Sequence, residues 1–120
     1  MTLWNVEFTD QFEEWWETLS GDEQRALTAA VQFLERDGPA LGRPLADTIK
    51  GSRHRNMKEL RPPATALRVL FAFDPRRTAI LLIGGNKQHR WREWYVEFIP
   101  VADSLYDEHL AELRREGGLR

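Results

Sequence analysis

At 120 residues, with 42% apolar and 30% charged side chains, the chain is long enough for one hydrophobic core and too short for two, and it holds no repeat or low-complexity tract. The absence of cysteine excludes disulfides and thiolate metal sites. The formal net charge of −2 conceals a sharp division: residues 43–92 carry twelve Lys/Arg and three Asp/Glu, residues 1–42 two and nine, and residues 93–120 three and seven. A basic block within an acidic chain is an electrostatic footprint for phosphates, with a solvated basic face as the alternative.

The opening residues Met1 to Asn5 lack a basic segment followed by an apolar one, so no signal peptide is expected. The uncharged apolar run from Ala79 to Gly85 is too short to span a bilayer, and a cytoplasmic protein is the expectation. Trp4, Val6 and Phe8 alternate with Leu3, Asn5 and Glu7, the period of a half-buried strand. Asp10, with Glu13 as its capping partner, is expected to open a helix whose apolar face is Phe12, Trp15, Trp16 and Leu19. Ser20 and Glu23 repeat the capping pattern and start a second helix, with Leu27, Ala30, Val31 and Leu34 as its inner stripe. Asp37-Gly38-Pro39 ends it.

Between Ala40 and Asn56 periodicity disappears, which reads as a loop. A short strand is expected at Met57–Arg61, closed by Pro62-Pro63, and a second where Leu67, Val69, Phe71 and Phe73 alternate with Arg68, Leu70 and Ala72. Asp74-Pro75-Arg76-Arg77 turns the chain into a strand at Thr78–Ile83 that is apolar on both faces, and Gly84-Gly85 reads as the tight turn ending it. Trp91, Trp94, Tyr95 and Phe98 fit a helix that Pro100 is expected to interrupt or follow with a new start. Ala102, Leu105, Tyr106, Leu110 and Leu113 define a terminal amphipathic helix. The expectation is a single α+β domain over residues 1–120, in the order β-α-α-β-β-β-α, with a mostly antiparallel twisted sheet, an N-terminal helical hairpin and a C-terminal helix.

Arg61 leaves one strand as Arg68 enters the next, so the Pro62-Pro63 turn should set two guanidiniums in one sheet. Such a pair repels unless an anion joins it, and arginine's planar fork suits bidentate phosphate contact. The alternatives are an ion pair between Arg68 and Glu59 and a solvated edge for Arg61. His89, two residues after Lys87, is a candidate proton donor or else an exposed loop histidine, and Tyr95 and His54 are weaker candidates. His109 receives no role. Trp91, flanked by Arg90 and Arg92, reads equally as a base-stacking platform or as core, whereas Trp94 reads as core.

The stretches His54–Arg61, Arg68–Asp74, Leu81–Lys87 and Ile99–Tyr106, in this order behind a β-α-α opening, resemble the RelE/HigB family of bacterial and phage toxins, in particular its phage-derived HigB-like branch. The resemblance implies a RelE-like fold and a ribosome-dependent mRNA endoribonuclease that stops translation, cleaving by attack of the 2′-hydroxyl without metal or cofactor. Carried over by position, the catalytic candidates are Arg61, Arg68, Lys87 and His89. The candidate RNA contacts are Lys58, Arg53, Arg55, Arg76, Arg90 and Trp91. The partners implied are an antitoxin with a helix-turn-helix domain, the ribosome with its mRNA, and operator DNA only through the antitoxin, with no membrane. Two antitoxin modes are open, one covering the basic residues 43–92 and one binding the acidic helical faces near Glu13, Glu14 and Glu17, and the second is favoured. Competing readings are a ParE-like gyrase inhibitor and a non-catalytic RNA-binding module.

Overall fold

The computed structural model describes residues 2–88 and 90–117. Strand β1 (Val6–Phe8) leads into helix α1 (Asp10–Trp16) through Thr9. Thr9, not Asp10, is the cap. Its hydroxyl accepts from the Phe12 backbone N–H at 3.0 Å and donates to the Leu82 carbonyl at 2.7 Å. A hydroxyl can accept and donate at once, whereas a carboxylate can only accept, which explains the one-residue shift from expectation. Helix α2 (Gly21–Asp37) has the Ser20/Glu23 capping box and buries Leu27, Ala30 and Leu34, with Val31 half-buried. It ends at Gly38, whose φ of 58° suits glycine, and a 3-10 turn follows over Gly38–Ala40.

The presumed loop then contains a strand, β2 (Ala46–Thr48), antiparallel to β3 (Lys58–Leu60). Three residues beside Gly42 and Pro44 carry too little local pattern to announce a strand; pairing with β3 makes it one. Strands β4 (Leu67–Phe73) and β5 (Ala79–Asn86) complete a sheet of order β1-β5-β4-β3-β2, in which only β1 against β5 is parallel. The β4–β5 ladder passes from Leu70↔Ile83 to Phe71↔Leu81, so Leu82 is the extra residue of a bulge.

Side-chain alternation assigns the two faces. Leu60, Val69, Phe71, Ala79 and Leu81 meet Phe12, Leu27, Ala30 and Leu34 of the helical hairpin. Leu70, Ala72, Ile80 and Leu82 meet Trp94, Ala102, Leu105 and Tyr106 of α3 (Trp91–Arg115). The sheet is therefore the middle of three layers. Gly84 and Gly85 lie inside β5 and not in a turn. A Cβ on Gly84 would stand 2.2 Å from the Trp15 ring, and one on Gly85 2.1 Å from Trp94 Nε1. Tryptophans press on the strand from opposite sides, and only glycine leaves them room.

Helix α3 runs unbroken through Pro100, contrary to the expected interruption. Proline removes the N–H that would bond the carbonyl of Val96, a residue on the solvent side of the helix at 78% exposure, where the loss leaves the packed face intact. Among the described residues, no helix is long and apolar enough to cross a membrane.

Candidate active site

Strand β3 is three residues long, and its alternation decides what reaches the site. Leu60 is buried on the hairpin side, so Lys58 shares that face, and its Nζ reaches the Pro39 carbonyl at 3.5 Å. Glu59 points the other way, beneath α3, and is only 4% exposed. Arg61, two residues on, follows Glu59 to the same side. Arg68 sits on the neighbouring strand, opposite Gly85 of β5.

A carboxylate this deeply buried would be costly alone. Four groups surround it. Arg68 Nε lies 3.2 Å and Arg61 Nε 3.4 Å from Glu59 Oε1, and the Tyr95 hydroxyl donates to the same oxygen at 2.7 Å. Lys87 completes the group electrostatically: burial and then the Arg68 charge lower its pKa, while the Glu59 charge opposes the shift. The alternative raised for Arg68, an ion pair with Glu59, is thus present. It coexists with a cluster whose formal charge is Arg61, Arg68 and Lys87 against Glu59, a surplus of positive charge.

The guanidiniums are held by charge more than by directed bonds. Arg61 Nε and Arg68 Nε are buried N–H groups whose angles to Glu59 make no hydrogen bond. Arg68 is oriented instead by Nη1 donating to the Leu67 carbonyl at 2.7 Å, and Arg61 by Glu59 and Asp47 of β2, each at 3.5 Å. Burial depresses Arg61, but the bond and charge of Glu59, aided by Asp47, outweigh it and leave the group above the ordinary arginine value. Tyr95 is pushed up to about 12, first by burial and then by its bond to Glu59. At neutral pH it is a phenol that donates and does not accept a proton.

Glu59, Arg61, Lys87, Trp91 and Tyr95 line one side of an open cleft of about 530 Å³, with Arg43, Asp47 and Lys50 along the β2 side and Ile99 on α3. Arg68 is not in the lining; it reaches the cleft through Glu59, 3.2 Å from its Nε. The backbone N–H of Lys87 donates to the Ala66 carbonyl at 3.0 Å, which fixes the rim where β4 and β5 meet.

Sequence reasoning therefore placed Arg61, Arg68, Lys87 and Trp91 in one region, and the structure brings them together. Other candidates lie elsewhere. Lys58 is on the opposite face of the sheet. Arg53 and His54 both pair with Asp107 of α3, and Arg55 is exposed in the preceding loop. Arg76 is tied to Asp74 and Glu7 at the far end of β4, where His109 also bonds Asp74 at 2.8 Å. Arg90 pairs with Glu97 at 2.8 Å. His89 lies outside the described residues. Tyr95, a weaker candidate by sequence, and Glu59, by sequence only an ion-pair partner for Arg68, occupy the centre. The available signal was parity: a charged residue two positions before Arg61 on an alternating strand must share its face. Among the described residues no three His, Asp or Glu are grouped to hold a metal ion.

A family profile described as phage-derived protein Gp49-like matches residues 14–107. Two chains of Mycobacterium tuberculosis (strain ATCC 25618 / H37Rv), named as candidate toxins HigB2 and HigB3, are 49% and 48% identical to this one over 106 and 101 residues. These matches cover 86% and 84% of this chain, but 53% of HigB2 and 89% of HigB3, so the chain spans about half the length of the former. Among solved structures, the RelE of a Pyrococcus horikoshii OT3 RelE–RelB complex aligns with TM-score 0.59 at 15% identity, over 74% of this chain and 99% of that one. The isolated Escherichia coli RelE toxin aligns with TM-score 0.59 at 10% identity, over 80% and 98%. At such identities the likeness establishes a shared fold.

Proposed function

Since the chain belongs to the phage-derived Gp49-like family, we propose that it is the toxin of a type II toxin–antitoxin system and cleaves mRNA on the translating ribosome. The observation that carries this reading is the convergence of Arg61, Arg68 and Lys87 on Glu59 and Tyr95, with all of these but Arg68 lining one open cleft. In the proposed reaction a ribose 2′-oxygen attacks the adjacent phosphorus, and the bond from phosphorus to the 5′-oxygen breaks. A 2′,3′-cyclic phosphate and a 5′-hydroxyl result. Negative charge grows on the non-bridging and leaving oxygens, and prearranged cations favour that state.

The proton must go from the 2′-hydroxyl to the departing 5′-oxygen. Of the two carboxylates among the described residues of the cleft, Asp47 is engaged by Arg43 and by the Thr48 N–H, each at 2.9 Å, so Glu59 is the acceptor in this reading; the other groups of the cluster are cationic or a protonated phenol. Tyr95 supplies a proton to the leaving oxygen and recovers one from Glu59 along their 2.7 Å bond, which closes the cycle. His89 is the rival donor, and Tyr95→Phe and His89→Gln separate the two by which abolishes turnover.

The proposed partner is an antitoxin, as in the solved RelB–RelE antitoxin–toxin complex from Methanococcus jannaschii, whose fold this chain shares. On the hairpin side, β1, α1 and α2 enclose an apolar groove of about 400 Å³, walled by Phe8, Phe12, Trp16 and Val31 and rimmed by Glu13, Glu17 and Glu35. An antitoxin segment with apolar anchors and flanking Lys/Arg fits it. The groove and the cleft lie on opposite faces of the sheet.

Expression without antitoxin should arrest growth with loss of mRNA. Arrest with intact mRNA and blocked DNA supercoiling would favour a gyrase-directed toxin instead, a reading that gives the clustered cations no task.

A further inference from the structure

We propose that Trp91 is a stacking seat for an unpaired nucleobase of the RNA next to the cleaved phosphate, acting on substrate affinity and not on the chemical step. The inference rests on the nuclease reading and adds a binding subsite to it. Five tryptophans occur in the chain, and Trp91 alone is exposed, at 55%, while Trp94 is 2% exposed and the others are half-buried. The fold gains little from an indole left in water, so its placement at the start of α3 needs another account.

The position supplies one. Trp91 lines the guanidinium cleft and also a second, shallower cavity of about 440 Å³ shared with Ala66, Lys87 and Gln88. The ring is thus a wall between a charged chamber and a mainly apolar one. Lys87 bridges them, with its ammonium 5.7 Å from the Tyr95 ring centre and 5.9 Å from that of Trp91. Arg92 lies 5.3 Å from the Trp91 ring, so a second cation stands beside the same platform. The shallow cavity has a firm floor: Lys87 is bonded to the Ala66 carbonyl and the Gln88 N–H to Asn86 Oδ1 at 2.9 Å.

A phosphate drawn to Arg61 and Lys87 would bring its attached nucleoside to this wall. A flat indole face beside cations suits a splayed base, and stacking tolerates any base because each has a π-face. Trp91 therefore contributes affinity without choosing sequence.

The test uses the full chain and a single-stranded RNA oligonucleotide made non-cleavable by one 2′-deoxy residue, alongside cleavage assays on translating ribosomes. Trp91→Ala should weaken oligonucleotide binding about ten- to a hundredfold. It should raise KM for cleavage with kcat nearly unchanged, and Trp91→Phe should restore most of both. An abasic residue beside the 2′-deoxy position should weaken binding to the native chain equally and add nothing to Trp91→Ala. If Trp91→Ala binds and cleaves like the native chain while Arg68→Ala is inactive, the subsite is wrong and the nuclease reading stands. If the abasic RNA binds normally although Trp91→Ala does not, the ring faces a protein or ribosomal surface and the proposal falls. Absence of both RNA binding and cleavage in the native chain overturns subsite and reading together.

Discussion

At the level of single residues, Glu59 joins the buried ion pairs of Arg61 and Arg68 to the proposed chemistry. Arg68→Ala removes a charge from the proposed transition state and should lower the cleavage rate roughly 10²–10³-fold, by analogy with deletion of one oxyanion donor. It also leaves a buried carboxylate short of a partner, so the fold should lose about 1–3 kcal/mol, less than for a fully orphaned ion because Arg61 and Tyr95 remain. Adding Glu59→Gln should return most of the stability in urea titrations and none of the activity. Recovery of activity in the double variant would show that Arg68 serves only to balance Glu59.

Tyr95 offers a pH test with a definite sign. Its folded pKa is raised to about 12 from an ordinary value of 10.0. The folded state therefore holds the phenolic proton longer than the unfolded chain. The stabilisation is complete below pH 10 and is lost as pH climbs from 10 to 12. In Tyr106→Phe, where Tyr95 is the remaining tyrosine, the ultraviolet phenolate signal should rise near pH 12; a midpoint near 10 would mean that the hydroxyl is neither buried nor held by Glu59.

At the scale of elements, the end of β5 is the most constrained segment. Gly84→Ala drives a methyl toward the Trp15 ring, and Gly85→Ala drives one toward Trp94, the neighbour of Tyr95. Each should cost about 1–3 kcal/mol by overpacking. Only Gly85→Ala should also reduce cleavage per folded molecule, because it disturbs the α3 face. Equal effects of both on activity would argue against Trp94 as the element that positions Tyr95.

What the sequence made visible follows from how local each signal is. Both hairpin helices, the Ser20/Glu23 cap and strand β4 announce themselves through periodicity within one element. Strand β2 does not, because its three residues become a strand only by pairing with Leu60, Glu59 and Lys58, distant in sequence. Arg61 and Arg68 could be brought together on paper because one short turn joins their strands. Arg53, Arg76 and Arg90 could not be excluded, since counting charge along the chain is blind to the carboxylates of Asp107, Asp74 and Glu97 that pair with them. Lys58 could have been excluded by parity, for it cannot share a face with Glu59. Tyr95 was obscured because one helical face carries core at Trp94 and the cleft wall next to it.

Across the whole molecule, charge is sorted by face. Cations gather under α3, while Glu13, Glu17 and Glu35 rim the groove on the other side of the sheet. Reversing Glu13 and Glu17 to lysine should weaken antitoxin binding at least tenfold, most at low salt, and leave cleavage by the free toxin within about twofold. In the native complex Arg61 should remain open to arginine-specific labelling. Strong protection of Arg61 would show instead that the antitoxin covers the cleft.

The central claim is that the cluster around Glu59 cuts mRNA on translating ribosomes. Its most direct measurement is primer extension on mRNA from a cell-free translation reaction, run with the native chain and with Arg68→Ala. The account predicts discrete cuts within the translated region, absent when initiation is blocked and absent with Arg68→Ala. Intact mRNA with the native chain, or the same cuts with Arg68→Ala, would contradict it.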